Sequence, residues 1–65
     1  MNDAQLQIAI DILKAGRFSV DSSSSDDEIA ASAFVFDNGL LFFRDQALKA
    51  LRQEWMKRKR GEVVQ

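Results

Sequence analysis

The sequence predicts a small all-α domain of three helices, at about residues 3–15, 26–37 and 41–60, that self-associates. Three observations carry that reading. Apolar side chains recur at helical spacing in the first and last segments. Ser25-Asp26-Asp27-Glu28 has the form of a helix-start box, and Gly16, Asn38-Gly39 and Gly61 stand where helices stop. The chain also has no proline and is 46% apolar over 65 residues, whereas a domain this short removes only about 60% of its unfolded surface from water when it folds alone. Residues 1–61 are read as a single helical domain with a Ser-rich loop at 19–25, and residues 62–65 as a flexible C-terminal tail.

In the first helix Asp3 is the expected cap and Gly16 the closing residue. Leu6, Ala9, Ile10 and Leu13 share one side of the helical wheel. Ile8, Ile12 and Ala15 share a second, which leaves only Gln7, Asp11 and Lys14 as a polar strip. An apolar arc this wide exceeds what one neighbour covers, so the helix should lie between two packing partners, one of which could come from another molecule. Phe18 and Val20 alternate with polar residues and suit a short extended piece anchored in the core. The serines that follow have no periodicity and read as a solvated loop.

The second helix opens on the Ser25/Glu28 box, with three carboxylates at the positive end of its dipole. Phe36, Ile29, Ala33, Ala30 and Phe34 form its broad apolar face. Glu28 and Ser32 lie opposite, and Val35 falls nearer the polar side. Asn38-Gly39 ends it, with Leu40 packing back on Val35. The alternative is an α+β fold, helix–β-hairpin–helix with the hairpin turn at Asn38-Gly39: Asn-Gly between SAFVFD and LLFFR is also a type I′ hairpin signal, and Phe and Val favour strands. Against the hairpin, both faces of such a ribbon would be apolar, and two strands cannot cover both.

The last helix places Leu48, Leu51 and Trp55 in one stripe that Leu41 extends. Asp45–Lys49 and Glu54–Arg58 are i,i+4 pairs in the favourable orientation, and the Lys57–Arg60 run suits the negative end of the dipole before Gly61 stops the helix.

The absence of Cys, His and Tyr excludes disulfide scaffolds, thiolate or imidazole metal sites and Ser-His or Cys-His nucleophile pairs. Asp21, Ser23, Ser25 and Asp27 alternate like the ligands of a calcium loop, but the sixth-place glycine is missing and Ser32 stands in place of the bidentate Glu. No carboxylate pair is set in an apolar pocket that would split its pKa values. A non-enzymatic protein with no cofactor, metal or small-molecule substrate is therefore expected. No segment approaches the roughly 20 apolar residues of a membrane span, and the first residues lack a basic region followed by an apolar stretch, so a cytoplasmic protein is expected.

Residues 1–43 carry two basic side chains against seven carboxylates, and residues 44–65 carry seven against three. The chain is a charge dipole along its length, so two copies could pair head to tail. The window Phe34–Phe43 packs four phenylalanines, two leucines and a valine into ten positions. Part of that cluster belongs to any core. The surplus points to a contact surface, because aromatic side chains are preferred interface anchors. The expected function is a protein-interaction module (a small regulator, inhibitor or assembly subunit) that binds a protein partner or itself. Its anchors are drawn from Phe34, Phe36, Phe42, Phe43 and Trp55, with Ile8 and Ile12 as a secondary strip and Phe42 as the leading residue. Arg52, Lys57, Arg58 and Lys59 form the charged rim. The alternative is a small dimeric nucleic-acid-binding protein that uses the Lys57–Arg60 turn for phosphate contacts.

Overall fold

Asn2 has a short side chain that can turn back on its own backbone, and it caps the first helix, α1 (Asp3–Ala15). Its Oδ1 accepts from the Gln5 amide at 2.7 Å, and the Gln5 side chain returns an acceptor to the Asn2 amide at 3.1 Å. The cap is therefore one residue earlier than the sequence pattern places it, which leaves Asp3 in the first turn for another task. Gly16 closes α1 as expected: it sits in the left-handed region at φ 76°, and its amide donates to the Ile12 carbonyl at 2.9 Å. A side chain at that φ costs energy, which is why glycine stands there.

The computed structural model describes residues 1–17 and 21–63, with side chains described as far as residue 61. The extended piece expected at Phe18 and Val20 lies outside the described residues. Within the connection, Asp21 Oδ1 accepts from the Ser23 amide at 2.8 Å and from the Ser23 hydroxyl at 2.6 Å, and the Ser24 amide donates to the Asp21 carbonyl at 3.1 Å. Part of the Ser-rich segment is thus a side-chain-closed turn.

The Ser25 box forms as read and starts α2 (Asp26–Asp37): the Ser25 hydroxyl accepts from the Glu28 amide at 3.2 Å, and Glu28 Oε1 accepts from the Ser25 amide at 3.1 Å. Asn38 ends α2 with its backbone and its side chain, both donating to the Phe34 carbonyl, at 3.2 and 2.8 Å. A type I′ turn needs positive φ at both central residues. Here Asn38 has φ −96° and only Gly39, at φ 59°, is left-handed. The Asn-Gly pair therefore closes a helix, and no strand occurs among the described residues, which settles the choice in favour of the three-helix reading. Gly39 leads into a 3₁₀ turn (Leu40–Phe43), and α3 (Arg44–Val63) follows directly. The last helix runs through Gly61 to Val63, where the sequence reading stopped it at Gly61. Glu54–Arg58 pairs at 2.8 Å, while among the described residues Asp45 and Lys49 do not pair with each other.

Helix α1 packs against both α2 and α3, and the 3₁₀ turn packs against both as well. The two partners demanded by the wide apolar arc of α1 are therefore both supplied by its own chain. Ala9, Ile12 and Leu13 of α1, Ala31 and Val35 of α2 and Ala47 of α3 form the core, with Leu40, Leu41, Leu48 and Leu51 packed around it. Leu6 and Ile10 are also buried.

Arg58 of α3 donates to Asp3 at 3.0 Å, and Arg44, at the opposite end of α3, donates to the carbonyls of Leu13 and Lys14. The first turn of α1 thus meets the last turns of α3 and the reverse, so the two helices run antiparallel, tied at both ends. Asp27 Oδ1 accepts from Gln5 at 3.2 Å and from Asn2 at 3.4 Å, which joins the first turns of α1 and α2.

The rotation of α2 overturns the sequence expectation. Ala31, Ser32 and Val35 face inward, with Ala31 and Val35 fully buried, and Ile29, Ala30, Ala33 and Phe36 face outward. Size explains the inversion. The core that α2 enters holds Ala9, Ile12 and Leu13 of α1, and a helix that offers Ala31 and Ser32 can approach it closely. Phe36 and Ile29 would hold the backbones apart and leave voids, and packing contacts are lost quickly across a gap.

A candidate protein-docking surface

The inverted α2 puts Ile29 and Phe36 in water. Ile29, Ala33 and Phe36 recur at i, i+4 and i+7, so they form one stripe along the outer face. Phe36 is 72% exposed and Phe42, on the 3₁₀ turn, is 89% exposed. The two converge on one groove of about 450 Å³ lined by Val35, Phe36, Gly39, Leu41 and Phe42, with no polar side chain among them. Gly39 is integral to this geometry. Its left-handed φ turns the chain from α2 into the 3₁₀ turn, and a Cβ there would meet the Phe42 ring at 3.4 Å. Phe43, 60% exposed, continues the apolar surface beside Asp45 and Gln46.

The flank of the stripe is acidic. Asp26 and Asp37 lie on the same side of α2 as Ala33, seven residues before it and four after it, and both are exposed. No basic residue lies between Arg17 and Arg44.

The other expected anchors are placed differently. Phe34 is half-buried and packs against the core. Ile12 belongs to the core and is only 9% exposed, because it lies on the side of α1 that receives α2; it is not a surface anchor. Ile8 is half-buried and lines a shallow depression with Asp11, Ala15, Arg17 and Glu28. Trp55 is half-buried, with the Lys59 ammonium 4.4 Å from its ring centroid, in the range of a cation–π contact. The secondary strip expected at Ile8 and Ile12 is therefore largely occupied by the chain's own packing. Ile29 and Ala33 belong to the broad apolar face read from the sequence but are not among its expected anchors, and neither is Met56, 58% exposed on α3.

The basic run divides in two. Arg58 is shared between Glu54 at 2.8 Å and Asp3 at 3.0 Å, and Lys59 lies 3.6 Å from the second Asp3 oxygen. The hydrogen bond from Arg58 holds the Asp3 carboxyl below the usual carboxylate range, with Lys59 adding to the effect. Arg58 lowers Glu54 in the same way, and the two carboxylates raise Arg58 in return, Glu54 more than Asp3. Arg52, Lys57 and Arg60 are exposed. The four cations of the run are therefore not equivalent: the two middle members tie α3 to α1, and Lys57 and Arg60 are exposed beside them.

Among the described residues no group of acidic side chains is arranged to hold a metal ion, and no helix is long and apolar enough to cross a membrane. The chain matches no protein-family model, and neither a curated protein nor a solved structure is significantly similar to it.

Proposed function

We propose that this chain is a non-enzymatic protein-interaction module that docks through the outer face of α2 and the 3₁₀ turn, with Phe36 and Phe42 as its anchors. One observation carries the reading: two phenylalanines, 72% and 89% exposed, border a single apolar groove in a domain whose core is already closed beneath it. Burying an exposed phenylalanine stabilises by about 1.5–3 kcal/mol, so leaving two in water at one site is costly unless a partner covers them. Aromatic anchors at the centre of a groove with a charged border are the usual anatomy of an energetic hot spot.

The test is a photo-crosslinking residue at position 42, compared with the same residue at Ala50, which is exposed on α3 and does not line the groove. The protein is irradiated in the cells that make it, and the products are identified by mass spectrometry. A defined protein adduct at position 42, absent at position 50 and lost on Phe36→Ser, supports the reading. No adduct at position 42 above the level at position 50 overturns it.

A further inference from the structure

The groove has a counterpart on the same molecule. Lys49, Arg52, Met56 and Arg60 recur at three- and four-residue spacing along the outer face of α3, and all four are exposed. Lys49, Arg52 and Met56, with Leu48, Gln53 and one acid, Asp45, line a shallow depression of about 300 Å³. Met56 is the apolar centre of this basic face, as Phe36 and Phe42 are of the acid-flanked one. We propose that the α2 groove takes the α3 face of a second copy of this chain, with Met56 seated between Phe36 and Phe42, with Arg52 facing Asp37 and with Lys49 on the side of Asp26. This rests on the docking role proposed above and names its occupant.

Charge complementarity selects this pairing over the alternatives. Two α2 faces set against each other would oppose Asp26 and Asp37 to their own copies, and two α3 faces would oppose Lys49, Arg52 and Arg60 to their own copies; like charges brought together at an interface penalise that arrangement. Only the α2-to-α3 contact joins opposite signs. It also matches side-chain chemistry, since a thioether is a flexible filler for an irregular apolar site and makes favourable contacts with aromatic rings. The contact is heterologous. One such pairing leaves a free α3 face on one copy and a free α2 groove on the other, so assembly continues to a closed ring or a filament unless both contacts form at once in a symmetric dimer.

The experiment is sedimentation equilibrium of the full chain from about 10 μM to about 1 mM, which brackets a micromolar to millimolar dissociation constant. It is run on the wild type, on Asp37→Lys, on Arg52→Glu and on an equimolar mixture of the two variants. Asp37→Lys places a cation at the C-terminal end of α2, where the helix dipole favours it, so loss of association there does not come from loss of the helix; circular dichroism checks both variants. The expected result is a concentration-dependent mass for the wild type, at least tenfold weaker association for each variant alone, and association restored in the mixture, with Met56→Ser weakening the wild type as well. A wild type that stays monomeric overturns the proposal, as does association that survives either charge reversal or a mixture that fails to recover it. If the chain is monomeric and the adduct at position 42 is a different protein, the second copy is excluded while the docking role stands; if no adduct forms, the docking role itself falls.

Discussion

The Arg44 guanidinium donates from Nη2 to the main-chain carbonyl of Lys14 at 2.8 Å, and its Nε donates to the neighbouring carbonyl of Leu13. The last carbonyls of a helix have no partners within it, and here a cation from the start of α3 supplies two donors at the negative end of the α1 dipole. The fork geometry of Arg is what reaches two carbonyls at once. Arg44→Ala should therefore destabilise the fold by about 1–2 kcal/mol, measured by urea unfolding. Arg44→Lys should recover less than half of the loss, because one ammonium cannot reproduce both bonds. A full rescue by lysine would show that only the charge matters.

The rotation of α2 makes a prediction opposite to residue size. Val35 is fully buried and Phe36 is 72% exposed. Val35→Ala should cost about 2 kcal/mol through lost burial and a residual cavity. Phe36→Ala removes a larger side chain, yet should change monomer stability by less than about 0.5 kcal/mol. Both are read from denaturant midpoints at a concentration low enough to keep the chain monomeric. A larger loss at Phe36 than at Val35 would mean that α2 is turned the other way.

What could be read in advance divides by distance along the chain. The Ser25/Glu28 box, the Gly16 stop and the Glu54–Arg58 pair are chemistry within four residues, and the pattern displays it directly. The rotation of α2 was hidden because a helical wheel ranks side chains by hydrophobicity, whereas close packing against α1 selects small ones such as Ala31 and Ser32. Asp3 looked like a cap because its partner Arg58 is 55 residues away, and Arg44 as a cap for α1 is 30 residues from the carbonyl it serves. The candidate surface was half visible: Phe36, Phe42 and Phe43 follow from the surplus of aromatics, while Ile29 and Ala33 follow only once α2 is oriented.

Gly61 distinguishes a helix interior from a helix stop. The helix continues to Val63, and a Cβ built on Gly61 meets nothing within 4 Å. Gly61→Ala should therefore stabilise the end of α3 by about 0.5–1 kcal/mol, seen as greater helicity by circular dichroism and slower amide exchange in the last turn. A glycine serving as a left-handed stop would give the opposite sign.

The clamp between α1 and α3 predicts the acid limb of stability. Asp3 and Glu54 both titrate below their ordinary range in the folded chain, chiefly through hydrogen bonds from Arg58. The unfolded chain, with ordinary carboxylates near 4, therefore binds their protons at a higher pH than the folded chain does. Their contribution is fully present above that range and drains away as the pH falls through about 4 and below. The wild-type melting temperature should thus drop on acidification from about pH 6 to about pH 3, and Arg58→Gln should flatten that drop because it returns both carboxylates toward their ordinary range. Asp3→Asn should flatten it only in part, since Glu54 keeps its partner and Asp21 is held low independently by hydrogen bonds from Ser23. If Arg58→Gln leaves the pH profile of the melting temperature parallel to that of the wild type, the clamp contributes nothing to folding.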